Sequence, residues 1–263
     1  MRALAVRAAA VLAAGAVLPS GTNAQDVNSR EEFRWSGTVA RGGVVEIKGI
    51  NGAISATGAT GDQVEVLAVK SGRRNDPAEV RIEVVEHGGG VTLCAVYPHG
   101  SGDEANRCEP GDAGRLHARH NDVAVRWEVR VPRGLRFRGR TVNGEMAATG
   151  LTGSVDLATV NGDVAISTTA FATARTVNGS IEARMSGPPE GDASFETVNG
   201  SIALDVADDT GARVDASWLN GGLETALPFA VRGGIGRRSA RGVLGAGGPT
   251  LTLRTVNGSI RIH

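Results

Sequence analysis

Short stretches in which apolar and polar residues alternate follow one another along most of this chain. Ser180-Ile181-Glu182-Ala183-Arg184-Met185, Gly43-Val44-Val45-Glu46-Ile47 and Val123-Ala124-Val125-Arg126-Trp127-Glu128-Val129 are examples. A period of two predicts half-buried strands, and the spacing of three and four that marks an amphipathic helix is missing. The stretches are punctuated by one tetrapeptide, Thr-Val-Asn-Gly, which begins at Thr141, Thr159, Thr176, Thr197 and Thr255. Looser copies stand at Gly49-Ile50-Asn51-Gly52 and Trp218-Leu219-Asn220-Gly221. In each copy an apolar residue precedes the Asn and another follows it by three, as in Val142/Met146, Val160/Val164, Val177/Ile181, Val198/Ile202, Leu219/Leu223 and Val256/Ile260. Asn-Gly suits a tight turn with positive φ at both central residues. Each copy therefore reads as strand, turn, strand. Asn51-Gly52, Asn143-Gly144, Asn161-Gly162, Asn178-Gly179, Asn199-Gly200, Asn220-Gly221 and Asn257-Gly258 are expected as structural turns.

From Asn143 the next turns follow in steps of 18, 17, 21 and 21 residues. Half-copies built on Thr-Gly lie between some of them, as in Leu151-Thr152-Gly153-Ser154-Val155 and Thr210-Gly211-Ala212-Arg213-Val214. Periods near 20 residues mark solenoids, whose units bury their apolar faces by stacking on neighbours. Leucine-rich repeats need a leucine frame that is absent here, and helical repeats need longer periods. The pattern predicts an all-β chain built as a β-solenoid. Val and Ile at equivalent positions would form interior ladders spaced by about 4.8 Å, and the Asn amides of successive coils would align into a hydrogen-bonded column. The 38 glycines and few aromatics fit a narrow interior.

Residues 1–24 read as a secretory signal: Arg2 and Arg7 give the positive start, Ala8 to Leu18 the apolar centre, and Thr22-Asn23-Ala24 a small-residue cleavage site. The apolar stretch is too short to span a membrane, so the expectation is an exported protein, periplasmic or extracellular, with no membrane span. Without Arg2 and Arg7, 26 basic residues face 28 acidic ones, and no bulk charge dictates a partner. The scarcity of aromatics argues against a sugar-stacking lectin and against nucleic acid as a partner, because base-stacking platforms are missing. Residues 25–140 are read as an N-terminal β-rich cap, with a polar insertion at 98–121, that covers the open end of the stack. Residues 141–263 are read as the solenoid repeats.

The Thr-Val-Asn-Gly-Ser-Ile repeats, the closing run Gly247 to Ile260 and the segment Val129-Arg130-Val131-Pro132-Arg133-Gly134-Leu135 resemble the bacterial putative-adhesin family, a domain of unknown function made of β-strand repeats. The resemblance covers roughly Val39 to the C-terminus. It implies a right-handed β-helix-like fold at an exported location, and it brings no activity, cofactor or catalytic position.

Cys94 and Cys108, the two cysteines of the chain, read as a disulfide in an oxidising compartment. It would close a loop of about 15 residues and contribute about 3 kcal/mol. The insertion also holds His99, His117 and His120 with Asp103, Glu104, Asp112 and Asp122 nearby, residue types able to hold Zn²⁺ or Cu²⁺ but in no recognised spacing. The solvated-loop reading is preferred, and no metal or cofactor is assigned. Arg130, Arg133, Arg136, Arg138 and Arg140 alternate along one segment as if on one strand face, and Arg232, Arg237, Arg238 and Arg241 sit in a Gly-rich loop. Of these, Arg136, Arg138, Arg140, Arg237 and Arg238 form a candidate patch for an anionic ligand, phosphate or carboxylate. The plainer alternative is a solvated face that discourages edge pairing. Carboxylates at Asp156, Asp163, Glu182, Glu196 and Asp205 show no common register, and the motifs of nucleophilic, phosphate-binding and zinc-hydrolase sites are absent. The sequence thus points to a non-enzymatic structural or interaction module of the cell envelope, bound to an envelope protein or glycan or to itself. The alternatives are a polysaccharide-binding or polysaccharide-processing β-helix, and a metal-responsive envelope protein.

Overall fold

A computed structural model describes residues 30–100, 102, 104–187, 191–207, 210–226, 230–231 and 238–263. The expected signal segment, Asp103, Arg232 and Arg237 lie outside the described residues. In chain order, β1 (Arg30–Thr38) is followed by β2 (Val44–Lys48) and β3 (Ile54–Ala59), joined through Asn51-Gly52. Next come β4 (Gln63–Ser71), a 3-10 turn at Pro77–Glu79, β5 (Arg81–His87), β6 (Gly90–Val96) and β7 (Ala124–Pro132). Strand pairs joined by Asn-Gly then succeed one another: β8 (Arg136–Arg140) with β9 (Met146–Leu151), β10 (Val155–Ala158) with β11 (Val164–Thr168), and β12 (Ala172–Asn178) with β13 (Ile181–Met185). They continue as β14 (Ala193–Asn199) with β15 (Ile202–Val206) and β16 (Ala212–Asn220) with β17 (Leu223–Thr225). After β18 (Ala230–Val231) and β19 (Ser239–Leu244), the chain ends in β20 (Thr250–Asn257) and β21 (Ile260–Ile262). No α-helix occurs among the described residues, and the chain is all-β.

The strands assemble into two sheets. The first runs β1-β4-β7-β3-β9-β11-β13-β15-β21-β17, and the second β18-β19-β16-β20-β14-β12-β10-β8-β2-β6-β5. The two strands flanking each Asn-Gly lie in different sheets, so every copy of the motif is one rung that carries the chain from the second sheet to the first. Equivalent strands of successive rungs pair in parallel, as in Val164↔Ile181 and Asp156↔Thr173. This overturns the hairpin-type turn expected from Asn-Gly. Among the described residues His120 is the sole non-glycine with positive φ, so none of the seven asparagines is left-handed. The glycines keep a positive φ at Gly52, Gly162, Gly179, Gly221 and Gly258, and close approach requires glycine as well: a Cβ on Gly144 would run into the Gly52 carbonyl oxygen, and one on Gly200 into that of Gly179.

A second difference concerns order. The rungs stack as Asn51, Asn143, Asn161, Asn178, Asn199, Asn257 and then Asn220. The C-terminal pair β20/β21 therefore sits inside the stack, with β14/β15 on one side and β16/β17 on the other. The rung of Asn220 forms the end, and β19 runs antiparallel along the other side of β16.

The core lies between the sheets. Val45, Phe137, Val155, Ala172, Ala193, Leu251 and Val214 form one inward column of the second sheet, facing Ile54, Met146, Val164, Ile181, Ile202 and Ile260 of the first, all buried. Each large member contributes about 1.5–3 kcal/mol by burial. Size is matched across the gap: a Cβ on Gly139 would meet Met146 Cε at 2.6 Å and Leu157 Cδ2 at 2.9 Å. At the other end β4 pairs with β1 and β7 antiparallel, β5 and β6 form an antiparallel hairpin, and the buried Trp127 of β7 fills the space behind the first rung.

Candidate functional site

The interior of each repeat unit is fixed by three residues of the motif. The Thr points inward and is buried at Thr141, Thr159, Thr176, Thr197 and Thr255. Its hydroxyl donates to the Gly carbonyl of the preceding rung: Thr159 to Gly144 (3.1 Å), Thr176 to Gly162 (2.9 Å), Thr197 to Gly179 (2.8 Å) and Thr255 to Gly200 (2.8 Å). The Asn amides stand at the corner of the stack. Each donates its Nδ2 to Oδ1 of the next: Asn143 to Asn51, Asn161 to Asn143, Asn178 to Asn161, Asn199 to Asn178, Asn257 to Asn199 and Asn220 to Asn257, all at 2.7–2.9 Å.

Strand alternation then dictates where the residue between Thr and Asn goes. With Thr inward, or Trp218 in the rung of Asn220, Val142, Val160, Val177, Val198, Val256 and Leu219 must point outward. They are 37–44 % exposed and form a straight row along the outer face of the second sheet, one per rung, at a spacing of about 4.8 Å. The sequence-based expectation that these valines line the interior is therefore overturned. The second apolar residue of each pair, from Met146 to Ile260, is the buried one, although Leu223 of the end rung is half-buried. What reverses the valine is the Thr–Gly hydrogen bond, which takes the inward position for a hydroxyl. The signal was present in the strict identity of Thr and Val across the repeats, at positions where mere core-filling would have tolerated variation.

Beside this row, two residues back along each strand, runs the column Lys48, Arg140, Ala158, Arg175, Glu196, Arg254 and Ser217. Beyond it lies Glu46, Arg138, Asp156, Thr173, Ser194, Thr252 and Asp215. The arginines that sequence grouped together are divided here. Arg130 belongs to β7 in the first sheet, next to Glu65 (3.8 Å), whereas Arg136, Arg138 and Arg140 share the outer face of β8. Arg140 grips Asp156 with both nitrogens (3.0 and 2.6 Å), and Arg138 reaches the same carboxylate at 3.2 Å. Arg136 donates Nε to the Gly42 carbonyl, and Arg241 pairs with Asp215. Glu196 stands between Arg175 (3.5 Å) and Arg254 (3.7 Å). Arg238 is exposed on the turn before β19. Of the other carboxylates, Asp205 binds Arg184, and Asp163 accepts the Ser180 N–H.

The first rung is covered. Its row member, Ile50, is only 7 % exposed. Cys94 of β6 and Cys108 form a disulfide with 5.7 Å between Cα atoms, which brings the insertion across the outside of β2. There Lys48 Nζ donates to the carbonyls of Glu109 (2.6 Å) and Ala113 (2.9 Å). Glu46 Oε2 accepts from Thr92 Oγ1 (2.8 Å) and the Gly111 N–H (2.9 Å). Burial pushes the Lys48 ammonium below its ordinary pKa, against the opposing pull of Glu46 and Asp112. Leu116 of the insertion packs against the core and lies beside Gly49 and Val142. Tyr97, at the root of the insertion, donates its hydroxyl to the Val123 carbonyl at 2.8 Å, and burial raises its pKa to about 12.

His99 and His117 line a shallow depression of about 220 Å³ with Glu104, Asn106, Arg115 and Arg119, and His120 lies apart, in a left-handed loop position. Among the described residues no three or more His, Cys, Asp or Glu side chains converge as metal ligands. The outer face of the first sheet carries a wider groove floored by Ser55, Ala147, Ala165 and Ala203. Among the described residues no helix is long and apolar enough to cross a membrane.

No curated protein matches this sequence. Among solved structures, a putative cell adhesion protein from Clostridium sporogenes aligns at 10 % identity with a TM-score of 0.48, covering 89 % of this chain and 99 % of that one. A putative adhesin from Bacteroides fragilis aligns at 14 % identity with a TM-score of 0.35, covering 90 % and 99 %. The segment from β8 to the C-terminus, residues 138–263, matches the model of Toastrack DUF4097, a family of β-repeat domains of unknown function.

Proposed function

We propose that this protein is an exported, non-enzymatic interaction module of the cell envelope, and that its contact surface is the outer face of the second sheet. The observation that carries the reading is the row Val142, Val160, Val177, Val198, Val256 and Leu219, half-exposed along six successive rungs. Nothing in the packing calls for an aliphatic residue there, because the same face bears Arg175, Glu196 and Arg254 two residues back at no cost to the core. A continuous aliphatic row rimmed by polar residues is the pattern of a contact site. The arginines and carboxylates around it are largely engaged with each other, which supports a structural and binding role over catalysis. In this reading the chain enters the envelope by the signal at 1–24. The N-terminal strands act as the cap of a right-handed stack, and the disulfide suits the oxidising compartment outside the cytoplasm.

The test compares retention of the purified protein on an envelope fraction with that of Val177→Asp. The substitution lies on an exposed position, so folding is preserved. Loss of retention is expected. Equal retention of both proteins would overturn the assignment of this face.

A further inference from the structure

We propose that the partner of the aliphatic row is a second copy of this chain, paired face to face and antiparallel about a two-fold axis between the rungs of Val177 and Val198. The inference rests on the reading of the outer face of the second sheet as a contact surface, and names its occupant. Reversed upon itself, the row sets Val142 opposite the partner's Leu219, Val160 opposite the partner's Val256, and Val177 opposite the partner's Val198. Both rows have the same rung spacing, which Asn–Asn bonds of 2.7–2.9 Å maintain along the whole length, so all six positions meet at once.

The charges disfavour the two adjacent registers. The column beside the row reads Arg140, Ala158, Arg175, Glu196, Arg254, Ser217 in stacking order. About the proposed axis, Arg175 faces the partner's Glu196 and Glu196 faces the partner's Arg175. Arg254 meets the partner's Ala158, and Arg140 the partner's Ser217. In the column beyond, Arg138 comes opposite the partner's Asp215. Sliding the axis by half a rung toward Val142, a register slip of one rung, puts Arg175 on the partner's Arg175 and Arg140 on the partner's Arg254. Sliding it the other way puts Glu196 on the partner's Glu196 and Arg175 on the partner's Arg254. Like charges directly opposed disfavour both slips. The insertion acts in the same sense. It sits over the first rung, beyond the end of the exposed row, so antiparallel pairing sets it opposite the partner's β19 and off the aliphatic row, whereas parallel pairing would press it against its own copy. An isologous contact of this kind closes as a dimer and does not propagate.

The experiment is sedimentation equilibrium of the purified protein at micromolar concentration, followed by site-directed cross-linking. A dimer mass is expected. Val177→Asp, which sets a carboxylate against the partner's Val198, is expected to weaken dimerisation by about ten-fold or more. Arg175→Glu is expected to weaken it too, and Arg175→Glu with Glu196→Arg to restore it, because the swap re-creates opposite charges across the axis. Cys94 and Cys108 are paired, and the chain has no free cysteine. Val142→Cys and Leu219→Cys, each made in a separate protein, therefore introduce a single reactive thiol. Mixed, the two proteins are expected to cross-link, and each alone to remain uncoupled, since five rungs or about 24 Å separate like positions. A monomer mass at all concentrations, a dimer indifferent to Val177→Asp, or cross-linking of Val142→Cys alone would overturn the pairing. A monomer whose envelope retention is still lost in Val177→Asp would overturn the pairing and leave the contact surface standing with another partner. A monomer with Val177→Asp inert in both assays would overturn both.

Discussion

At the scale of single residues, the repeated tetrapeptide divides its labour by direction: Thr inward, Val outward, Asn along the corner, Gly beneath the next rung. Thr176→Val keeps shape and strand propensity but removes the donor to the Gly162 carbonyl, leaving a buried acceptor without its hydroxyl partner. The expected loss is about 1–2 kcal/mol, read from the denaturant midpoint. Tyr97 offers a second check, because it is the only tyrosine of the chain. Folded, it keeps its proton to about 12, while in the unfolded chain a tyrosine releases it near about 10. Its contribution to stability is thus complete below the unfolded value and is lost as pH rises through the folded one. Tyrosinate absorbance of the native protein should stay flat through the ordinary tyrosine range and rise only near pH 12 or upon unfolding. A rise in the ordinary range with the fold intact would contradict the burial. Which residues mattered was legible in the sequence, since Asn and Gly recur in all seven copies and Thr and Val in five. Their orientation was not. Period-two alternation names two faces but leaves open which is inside, and here a side-chain hydrogen bond to a carbonyl outranks the apolarity of valine.

At the scale of elements, the strands and their β class could be read from alternation. Rung order could not. Every rung presents the same Asn and similar apolar columns, and five of them the same Thr donating to a Gly carbonyl, so sequence periodicity carries no label that says which rung is whose neighbour. The C-terminal rung exploits this equivalence by entering between those of Asn199 and Asn220, after the chain has gone out along β16 and back along β19. Truncation after Pro249 removes the strands that join β14 to β16 and β15 to β17. Stability in stacked repeats is a sum of units and nearest-neighbour contacts, so the damage should be local. Hydrogen exchange is expected to show β16, β17 and β19 unprotected while β8 to β13 keep their protection. Uniform loss of protection would mean that the stack folds as one cooperative body.

At the scale of the whole molecule, the decisive contact joins segments far apart in sequence: the insertion lies over β2, some sixty residues earlier, through Lys48 and Glu46. The cysteine pair was legible from its count and spacing. Its setting was not, because nothing local in 98–121 shows that Lys48 and Glu46 await the carbonyls of Glu109 and Ala113 and the Gly111 N–H. The disulfide turns that contact into a fixed lid over Ile50, the one member of the aliphatic row that is shielded. Reduction should have two separable effects. Opening a loop of this length removes about 3 kcal/mol on the chain-entropy account. It also lets the insertion lift, which returns Lys48 to water and with it restores the ammonium toward its ordinary pKa, since desolvation is the leading cause of the depression. The Cys94→Ala, Cys108→Ala protein should therefore show a lower denaturant midpoint and faster amide exchange at 107–115, with the rungs from Asn143 onward unchanged. It should also show greater reactivity of Lys48 toward amine-directed labels, as the lid carbonyls no longer hold and cover Nζ. A lower midpoint with Lys48 still protected would show that the insertion is held by its hydrogen bonds and Leu116 alone, and that the disulfide acts on the unfolded chain and not on the lid.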